Sequence, residues 1–305
     1  LLVGGYPFKT TAIYTLIHYL ERRWGVFFCM GGTGKLVDEL GALMQRHGIH
    51  IQLAADVDEI VLESNRATGV RLNSGETLNA DIVVFGGDPE TCYKHLLPAK
   101  KTFSLPTIKK QYSMGLYVLY FGTRKLYPDV AHHSIWMGPR FQELLSEIFD
   151  SKQMSEDFSL YVHRPTATDK SFAPDGCESF YVLCPVPNLL GDVNWETEGP
   201  VLRDRIVTAL EETILPELSS VIEEVFWMTP EDFAKDYRSM HGAGFSIEPR
   251  LTQSAWFRFH NRDRAISNLY FVGAGTHPGA GLPGVVSSAK VVEELLTGVE
   301  VGSGG

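Results

Sequence analysis

The stretch NLYFVGAGTHPGAGLPGVVSSAK, residues 268–290, decides the fold. It begins with an apolar run, passes through a glycine-rich loop and continues with apolar residues at helical spacing. A strand, a glycine-rich loop and a helix in this order are typical of α/β folds that bind nucleotide cofactors. The pattern therefore predicts a buried strand at 268–272 and a helix from about 283 to 296, with Pro283 in its first turn.

Gly279, Gly281 and Gly284 spell GxGxxG, the fingerprint that opens a dinucleotide-binding βαβ unit. Such a unit needs a second strand that ends in an acidic residue about 20 residues after the glycines. Residue 304 is a glycine, and the sequence ends at residue 305. The motif therefore does not open a βαβ unit within this sequence.

The loop has a second possible role, which is to hold a planar or anionic ligand. Glycines allow the backbone to approach a ligand closely because they have no Cβ atom. The N-terminus of the following helix offers free N–H groups and the positive end of the helix dipole. These favour an electron-rich group, such as the edge of a reduced flavin. The alternative is a tight strand–helix turn in which the glycines serve packing alone.

Composition excludes several classes of protein. The net charge of −10 and the lack of a Lys/Arg block argue against nucleic acid as a partner. The four cysteines fit no zinc-ligand spacing, so we expect free thiols in a reducing, cytoplasmic compartment and no metal site. Residues 1–20 lack the pattern of a signal peptide, and no apolar run approaches the roughly 20 residues of a membrane span. The sequence begins without Met and reads as the middle of a domain, so we expect it to derive from a longer protein.

Periodicity predicts an α/β fold with an inserted, mostly antiparallel α+β part. The run Ile82–Phe85 is apolar throughout, as in a strand buried on both faces. Pro200 is suited to the first turn of a helix that follows it. Further helices are predicted at 10–23, 36–47, 138–149 and 198–214, and further strands at 49–53, 57–63, 67–73, 111–121, 158–163 and 179–184.

The stretch GGTGK at residues 31–35 invites comparison with a phosphate-binding P-loop. That loop requires the pattern G-x4-G-K-[ST]. Here Cys29 stands in place of the first glycine and Leu36 in place of the serine or threonine. The P-loop interpretation is therefore rejected.

The stretch 268–290 closely resembles the C-terminal flavin signature of bacterial-type phytoene desaturases, which are FAD-dependent carotenoid desaturases. Other segments resemble the same family in the same order. Among them are GGYPFKTTAIYTLIHYLERRWGV from residue 4, GGTGKLVDEL from residue 31, YVLYFGT from residue 117, AHHSIWMGPRF from residue 131 and FSIEPRLTQSAWFRFHNRD from residue 245. The resemblance covers nearly the whole sequence.

The resemblance implies part of an FAD/NAD(P)-binding Rossmann-like domain, interleaved with a mostly antiparallel substrate domain. We expect residues 1–30 to contact substrate and membrane, and residues 105–240 to bind substrate. Residues 31–104 and 241–300 are expected to form parts of the FAD-binding domain.

In this family, FAD is held jointly by an N-terminal GxGxxG segment and by later segments of the chain. The N-terminal segment is absent from this sequence. The resemblance implies backbone contacts to the adenine from Val57 and contacts to the ribityl chain and flavin ring from the C-terminal loop. The residues implied in the loop are Gly275, Thr276, His277, Pro283, Gly284 and Val285. No catalytic residue is assigned.

The implied reaction is stepwise desaturation of phytoene, an apolar C40 polyene, toward lycopene. FAD takes a hydride from a saturated carbon, a proton leaves the neighbouring carbon, and the electrons pass to a quinone or oxygen. An apolar tunnel is needed to position such a substrate. The alternatives are a carotenoid isomerase, a ketolase-type oxygenase or a later-step carotene desaturase. A further alternative is an inactive fragment that does not retain FAD.

Two polar clusters are weaker candidates. For His132 and His133 we expect a structural or substrate-domain role rather than metal binding, because adjacent residues face opposite ways and no carboxylate or cysteine is spaced to join them. In the stretch 261–263, beside Trp256, either Arg262 or His260 could approach the flavin. The preferred interpretation there is a structural Arg–Asp pair.

The substrate chemistry also implies contact with a membrane. Phytoene lives in the bilayer, so we expect a cytoplasmic protein that is peripheral to the cell membrane. The expected contact surface lies within residues 1–30 and includes the aromatic residues Tyr6, Phe8, Tyr14, Tyr19, Trp24, Phe27 and Phe28.

Overall fold

The computed structural model describes residues 4–98 and 110–298. The strands are β1 (Val57–Glu63), β2 (Arg66–Leu72), β3 (Thr77–Asn79), β4 (Val83–Phe85), β5 (Gly115–Thr123), β6 (His133–Trp136), β7 (Leu160–His163), β8 (Glu178–Val186), β9 (Ile222–Met228) and β10 (Leu269–Phe271). The α-helices are α1 (Leu16–Trp24), α2 (Gly32–Arg46), α3 (Pro89–Thr91), α4 (Phe141–Ser146), α5 (Trp195–Glu211), α6 (Leu218–Val221), α7 (Pro230–Asp236) and α8 (Leu282–Thr297). Short 3₁₀ turns lie at Ala12–Thr15, Pro165–Ala167, Lys170–Phe172, Met240–Gly242, Leu251–Gln253 and Ala255–Phe257, and π-helical turns at Cys92–Leu96 and Glu147–Ser151.

The chain divides into two compact units. The glycine-loop unit comprises Leu1–Ala12, Leu53–Met114 and Phe233–Gly305. The sheet unit comprises Ile13–Gln52 and Gly115–Asp232. Residues 31–52 thus group with the five-stranded sheet rather than with β1–β4. The functional assignments made for the four expected domains remain predictions.

The glycine-loop unit is built around β4 and β10, which pair in parallel with Val83 opposite Leu269 and Phe85 opposite Phe271. Strands β1, β2 and β3 form a separate antiparallel sheet. The side chain of Asn268 accepts a hydrogen bond from the N–H of Ala67 at 2.8 Å and donates to the carbonyl of Ala67 at 2.7 Å. A side-chain amide thus supplies both hydrogen bonds that a neighbouring strand would make to Ala67.

Strand β4 is less buried than the sequence predicts. Val83 is buried, but Ile82 and Val84 are each 46% exposed. The prediction of burial on both faces is wrong for β4, whereas all three residues of its partner β10 are buried. Val83, Leu269 and Phe271 belong to a core that also includes Ile60, Cys92 and Ile266.

The sheet unit contains a five-stranded sheet with the order β6-β7-β8-β5-β9, in which each neighbouring pair is antiparallel. Helix α5 begins at the cap residue Asn194, whose side chain accepts hydrogen bonds from the N–H groups of Glu196 and Thr197. The apolar stripe of α5 is buried in the core of this unit. Its fully buried members are Leu202, Ile206 and Leu210.

Two local predictions are wrong. Residues 49–53 form no strand. Pro200 lies inside α5 and not in its first turn, because Asn194 caps the helix several residues earlier. The strand predicted at 57–63 has those bounds in the structure.

Across residues 4–98 and 110–298, we find no helix that combines the length and the apolar character needed to span a bilayer.

Candidate functional site

An open cleft of about 370 Å³ lies within the glycine-loop unit, at the carboxyl ends of β4 and β10. The residues that follow β4 and the residues that follow β10 both line it. In open sheets with parallel strands, ligands bind at the carboxyl ends of the strands. The lining residues are Gly86, Gly87, Asp88, Phe233, Tyr237, Ser239, Ala243, Gly244, Phe245, Ser246, Ala274 and Gly275.

The loop after β10 is held by buried hydrogen bonds. Thr276 is fully buried, and its hydroxyl donates to the carbonyl of Gly273 at 2.9 Å. The amide of Asn261 donates to the carbonyls of Phe271 at 3.1 Å and His277 at 2.9 Å. Thr276 therefore shapes the loop through its side chain, and a ligand would meet the loop rather than that hydroxyl.

Two of the implied glycines are required by the protein's own packing. A Cβ atom on Gly275 would lie 2.5 Å from Cδ of Pro89, and one on Gly284 would overlap the carbonyl oxygen of Gly279. The close approaches at Gly275 and Gly284 are therefore internal. At these two positions, packing within the protein explains why the residue is glycine. Gly275 also lines the cleft.

Helix α8 starts directly after this loop. Pro283 occupies its first turn, and both Pro283 and Val285 are exposed. The fully buried Ser288 accepts a hydrogen bond of 2.9 Å from the N–H of Gly273 and donates to the carbonyl of Val285 at 2.6 Å. These bonds fix the start of α8 to the end of β10, so the free N–H groups of the helix N-terminus have a defined position.

Asp88 is the polar side chain that the sequence argument missed. Its carboxylate accepts hydrogen bonds from the N–H of Glu90 at 3.0 Å and from the hydroxyl of Ser246 at 2.8 Å. Burial raises the pKa of Asp88, although both hydrogen bonds oppose this rise. The signal available in the sequence was the polar GGDP segment directly after an apolar strand.

Val57 and His277 differ in their surroundings. Val57 begins β1, pairs with Leu72 and is half-buried. Among the described residues, Val57 contacts its own sheet and not the loop after β10. His277 lies in that loop and is joined to Pro278 by a cis peptide bond. The N–H of His277 donates to the carbonyl of Phe259 at 2.9 Å. The structure thus brings together the six residues implied in the C-terminal loop and leaves Val57 on a different sheet.

The cluster at 261–263 is structural, but not as the expected Arg–Asp pair. The guanidinium of Arg262 donates to the carbonyl of Ser267 at 3.1 Å. Asp263 accepts a hydrogen bond of 2.6 Å from the hydroxyl of Tyr93 and bonds from the N–H groups of Ala265 and Ile266. His260 lies against Arg264, with 3.2 Å between their nitrogen atoms.

The sequence argument that separated His132 from His133 is wrong. Their rings are stacked, with centroids 4.3 Å apart. His132 lies in a bend before β6, where the alternation of side chains along a strand does not apply.

The expected membrane-contact residues divide into exposed and covered ones. In the sheet unit, Tyr19, Trp24 and Phe27 are 57%, 60% and 87% exposed. Phe28 is instead half-buried and packs edge-on against His132. In the glycine-loop unit, Phe8 is 61% exposed, whereas Tyr6 is buried. Tyr6 and Phe28 are therefore removed from the expected surface.

The chain is similar in sequence to carotenoid desaturases, although no family model matches it. It is 50% identical over 300 residues to the lycopene-forming phytoene desaturase of Paracoccus sp. (strain N81106 / MBIC 01143), covering 97% of this chain and 60% of that protein. It is 48% identical to the lycopene-forming enzyme of Pantoea ananas, covering 61% of that protein. The identity to the neurosporene-forming enzyme of Rhodobacter capsulatus is 42%, over 58% of that protein. The chain therefore spans about three fifths of the length of these relatives.

Solved structures share the fold. An oxidoreductase from Methanosarcina mazei matches 87% of this chain and 55% of its own chain, with a TM-score of 0.56 and 16% identity. A putrescine oxidase variant matches 88% of this chain and 54% of its own, with a TM-score of 0.56 and 9% identity. At these identities the likeness concerns the fold alone, and it confirms the predicted α/β class.

Proposed function

We propose that this chain is a portion of a bacterial-type phytoene desaturase and that the whole protein desaturates phytoene toward lycopene with FAD as its cofactor. The observation that carries the proposal is the cleft at the carboxyl ends of β4 and β10, lined by Gly275 and Asp88. Its position is the one at which parallel-stranded α/β folds bind cofactors. The relatives named lycopene-forming phytoene desaturases support the substrate and product.

The residues present fit a flavin in three respects. The backbone of the loop after β10 lines one side of the cleft, so a planar ring system meets main-chain groups there. The N-terminus of α8 follows the same loop and favours an electron-rich group. Asp88 lines the cleft and adds a polar side chain beside that backbone. FAD would supply the acceptor for the hydride that leaves the substrate.

The roles of this chain's own residues follow from these contacts. Gly275 lines the cleft, and Thr276 holds the loop in shape from within. Together with these two residues, His277, Pro283, Gly284 and Val285 would hold the ribityl and flavin part of FAD. Val57 would contribute backbone contacts to the adenine. Loss of a hydride leaves one substrate carbon electron-deficient, and the proton of the neighbouring carbon then passes to a base. We assign no residue of this chain to that role.

We assign substrate binding to the sheet unit. Within that unit, we assign membrane contact to residues 13–30. The exposed aromatic side chains of α1 and the residues after it support contact with an apolar phase. A quinone or oxygen would take the electrons from the reduced cofactor. The protein would thus work at the cytoplasmic surface of the cell membrane.

A substitution within the cleft tests the cofactor site. The full-length protein that carries this chain is purified as the wild type and as the variants Ala274→Phe and Ala289→Phe. Ala274 lines the cleft, whereas Ala289 is exposed on α8. We expect Ala274→Phe to lose the flavin absorbance while its circular dichroism is unchanged, and Ala289→Phe to keep both. Retention of FAD at the wild-type ratio by Ala274→Phe would refute the assignment of the cleft.

Chromatography of carotenes decides the reaction. The wild-type protein is supplied with phytoene, and lycopene is the expected product. Unchanged phytoene together with consumption of another carotene would favour a later-step desaturase, and conversion between geometric isomers would favour an isomerase.

A further inference from the structure

Three histidines meet at one end of the sheet unit. His133 in β6 lies opposite His163 in β7. The N–H of Arg164 donates to the carbonyl of His132 at 2.9 Å, which makes His133 and His163 a non-hydrogen-bonded pair. Side chains approach most closely in such pairs. His132 joins them from the bend before β6, and one ring nitrogen from each of the three lies within 4.8 Å of the others.

We propose that His132, His133 and His163 bind a divalent transition-metal ion, with Zn²⁺ as the reference ion. Three imidazoles leave one position of a tetrahedral ion open, an arrangement that proteins use for zinc. Imidazole also suits copper, nickel and iron, so the site belongs to this class of ions and not to Ca²⁺ or Mg²⁺.

The spacing of the imidazoles fits a single ion. The Nδ1 atoms of His133 and His163 are 3.4 Å apart. Two nitrogens that each lie at about 2.0–2.1 Å from a tetrahedral zinc are about 3.4 Å from one another. The three ligand nitrogens lie within 4.8 Å of one another. Imidazole lone pairs lie in the plane of the ring, so His132, which is stacked on His133, must turn its ring before both point at one ion.

His132 is oriented in the manner of a metal ligand. Its Nδ1 atom lies 2.5 Å from the hydroxyl oxygen of Thr168, which can accept its proton. Its Nε2 atom is buried and has no hydrogen-bond partner among the described residues. A ligating histidine commonly donates its second ring nitrogen to an oxygen in this way, and that bond fixes its tautomer.

Without an ion, Tyr161 holds the two strand histidines. Its hydroxyl lies 2.7 Å from Nδ1 of His133 and 3.3 Å from Nδ1 of His163. Metal binding replaces these hydrogen bonds and leaves the phenol beside the open coordination position. A metal ion must therefore displace the two hydrogen bonds that Tyr161 makes with His133 and His163.

Two neighbours shape the surroundings of the cluster. Arg164 follows His163 in the chain, and its guanidinium is paired with the buried carboxylate of Glu178 at 2.7 Å. The ring of Phe28 covers His132, with centroids 4.7 Å apart, and limits access of water on that side.

The experiment uses the full-length protein with an affinity tag that contains no histidine. After treatment with a chelator and its removal, ZnCl₂ is titrated calorimetrically, and CoCl₂ is added in a parallel sample. We expect one zinc per chain and the intense visible spectrum of four-coordinate cobalt. Thr168→Val removes an outer hydrogen-bond partner and should weaken zinc binding by roughly 10–100-fold. His163→Gln removes a ligand and should weaken zinc binding by more than this.

His18→Gln is the matched control, because His18 is exposed on α1, away from the cluster. This control should bind zinc as the wild type does, and the FAD content of all variants should be equal. The proposal is overturned if the wild type binds no zinc, if cobalt gives the weak spectrum of a six-coordinate ion, or if His18→Gln weakens binding as much as His163→Gln. The cobalt spectrum of the wild type decides the matter even if a histidine variant does not fold.

Discussion

The carboxylate of Asp88 accepts a hydrogen bond of 2.8 Å from the hydroxyl of Ser246, 158 residues later in the chain. This bond joins the end of β4 to the segment that forms the opposite wall of the cleft. Because Asp88 also caps α3 with its side chain, one carboxyl group organises three parts of the candidate site.

Replacing Asp88 tests the effect of its burial on stability. Burial raises the pKa of Asp88 in the folded protein, so the folded state binds more protons than the unfolded chain between the two pKa values. Its contribution is therefore most favourable below the unfolded value of about 4 and is lost as the pH rises through the folded value. Asn keeps the cap but cannot titrate. We expect Asp88→Asn to gain stability relative to the wild type as the pH rises from acid to neutral.

Urea denaturation at several pH values measures this change. The control is Asp129→Asn, since Asp129 is exposed. A difference between Asp88→Asn and wild type that does not vary with pH would contradict the assigned effect of burial.

Gly275→Ala tests the tight contact below the loop. The new Cβ would lie 2.5 Å from Cδ of Pro89, so the loop after β10 and helix α3 must move apart. We expect the free energy of unfolding to fall by about 1–3 kcal/mol and the FAD content to fall with it. In the control Gly41→Ala, the Cβ has no atom within 4 Å and lies inside α2, so stability should rise by roughly 0.5–1 kcal/mol. Equal effects of the two changes would contradict the importance of the contact between Gly275 and Pro89.

Ser288→Ala removes the side chain that links β10 to α8. The buried N–H of Gly273 loses its partner, and such a loss costs about 1–3 kcal/mol. Denaturant unfolding should show this decrease, whereas Ser287→Ala, one residue earlier and only half-buried, should change stability far less. A loss of similar size in both variants would mean that the link to Gly273 is unimportant.

Glu178→Gln breaks the buried ion pair with Arg164. Both side chains are at most 10% exposed, and Glu178 also accepts bonds from Thr166 and from the N–H of Tyr127. Removing one partner of such a pair leaves an uncompensated charge and costs about 3–5 kcal/mol. The exposed pair of Arg124 and Glu223 offers the control: Glu223→Gln should cost less than about 1 kcal/mol. Thermal and urea unfolding would contradict the prediction if the two variants were equally stable.

The exposed aromatic residues near α1 lead to a membrane prediction. The double variant Trp24→Ser, Phe27→Ser removes side chains that are 60% and 87% exposed. We expect it to float with phosphatidylcholine vesicles less than the wild type, because apolar area is lost from the contact surface. Leu190→Ser removes a side chain that is 55% exposed elsewhere in the sheet unit and should leave flotation unchanged. Wild-type protein that stays with the unbound fraction would refute membrane contact itself.

Periodicity and turn chemistry are local properties, and the elements that depend on them were predictable. The strand at 57–63 and the strand–loop–helix order around 268–290 are examples. Neighbours brought in by tertiary structure were not predictable. Val84 belongs to an apolar run, yet it is 46% exposed, although its partner in β10, Tyr270, is buried. The apolar residues Leu40 and Leu43 of α2 likewise lie on the surface of the described chain.

The candidate site shows the same limit. The loop after β10 was recognisable because its glycines and Pro283 are adjacent in sequence. Asp88 and Ser246 were not, since their contact depends on the folded path of the chain. The third histidine of the cluster was not predictable for the same reason, because the register of β6 with β7 supplies His163.

The pairing of β4 with β10 also has a consequence for synthesis of the protein. Strands β5 to β9 leave the ribosome in one continuous stretch, so their antiparallel sheet can assemble while translation is still under way. Strand β4 is made before all of them, yet its parallel partner, β10, is made after them. Among the described residues β10 is the strand that pairs with β4, so this pairing forms only after β5 to β9 have been made, and a delay in translation between the two strands postpones it.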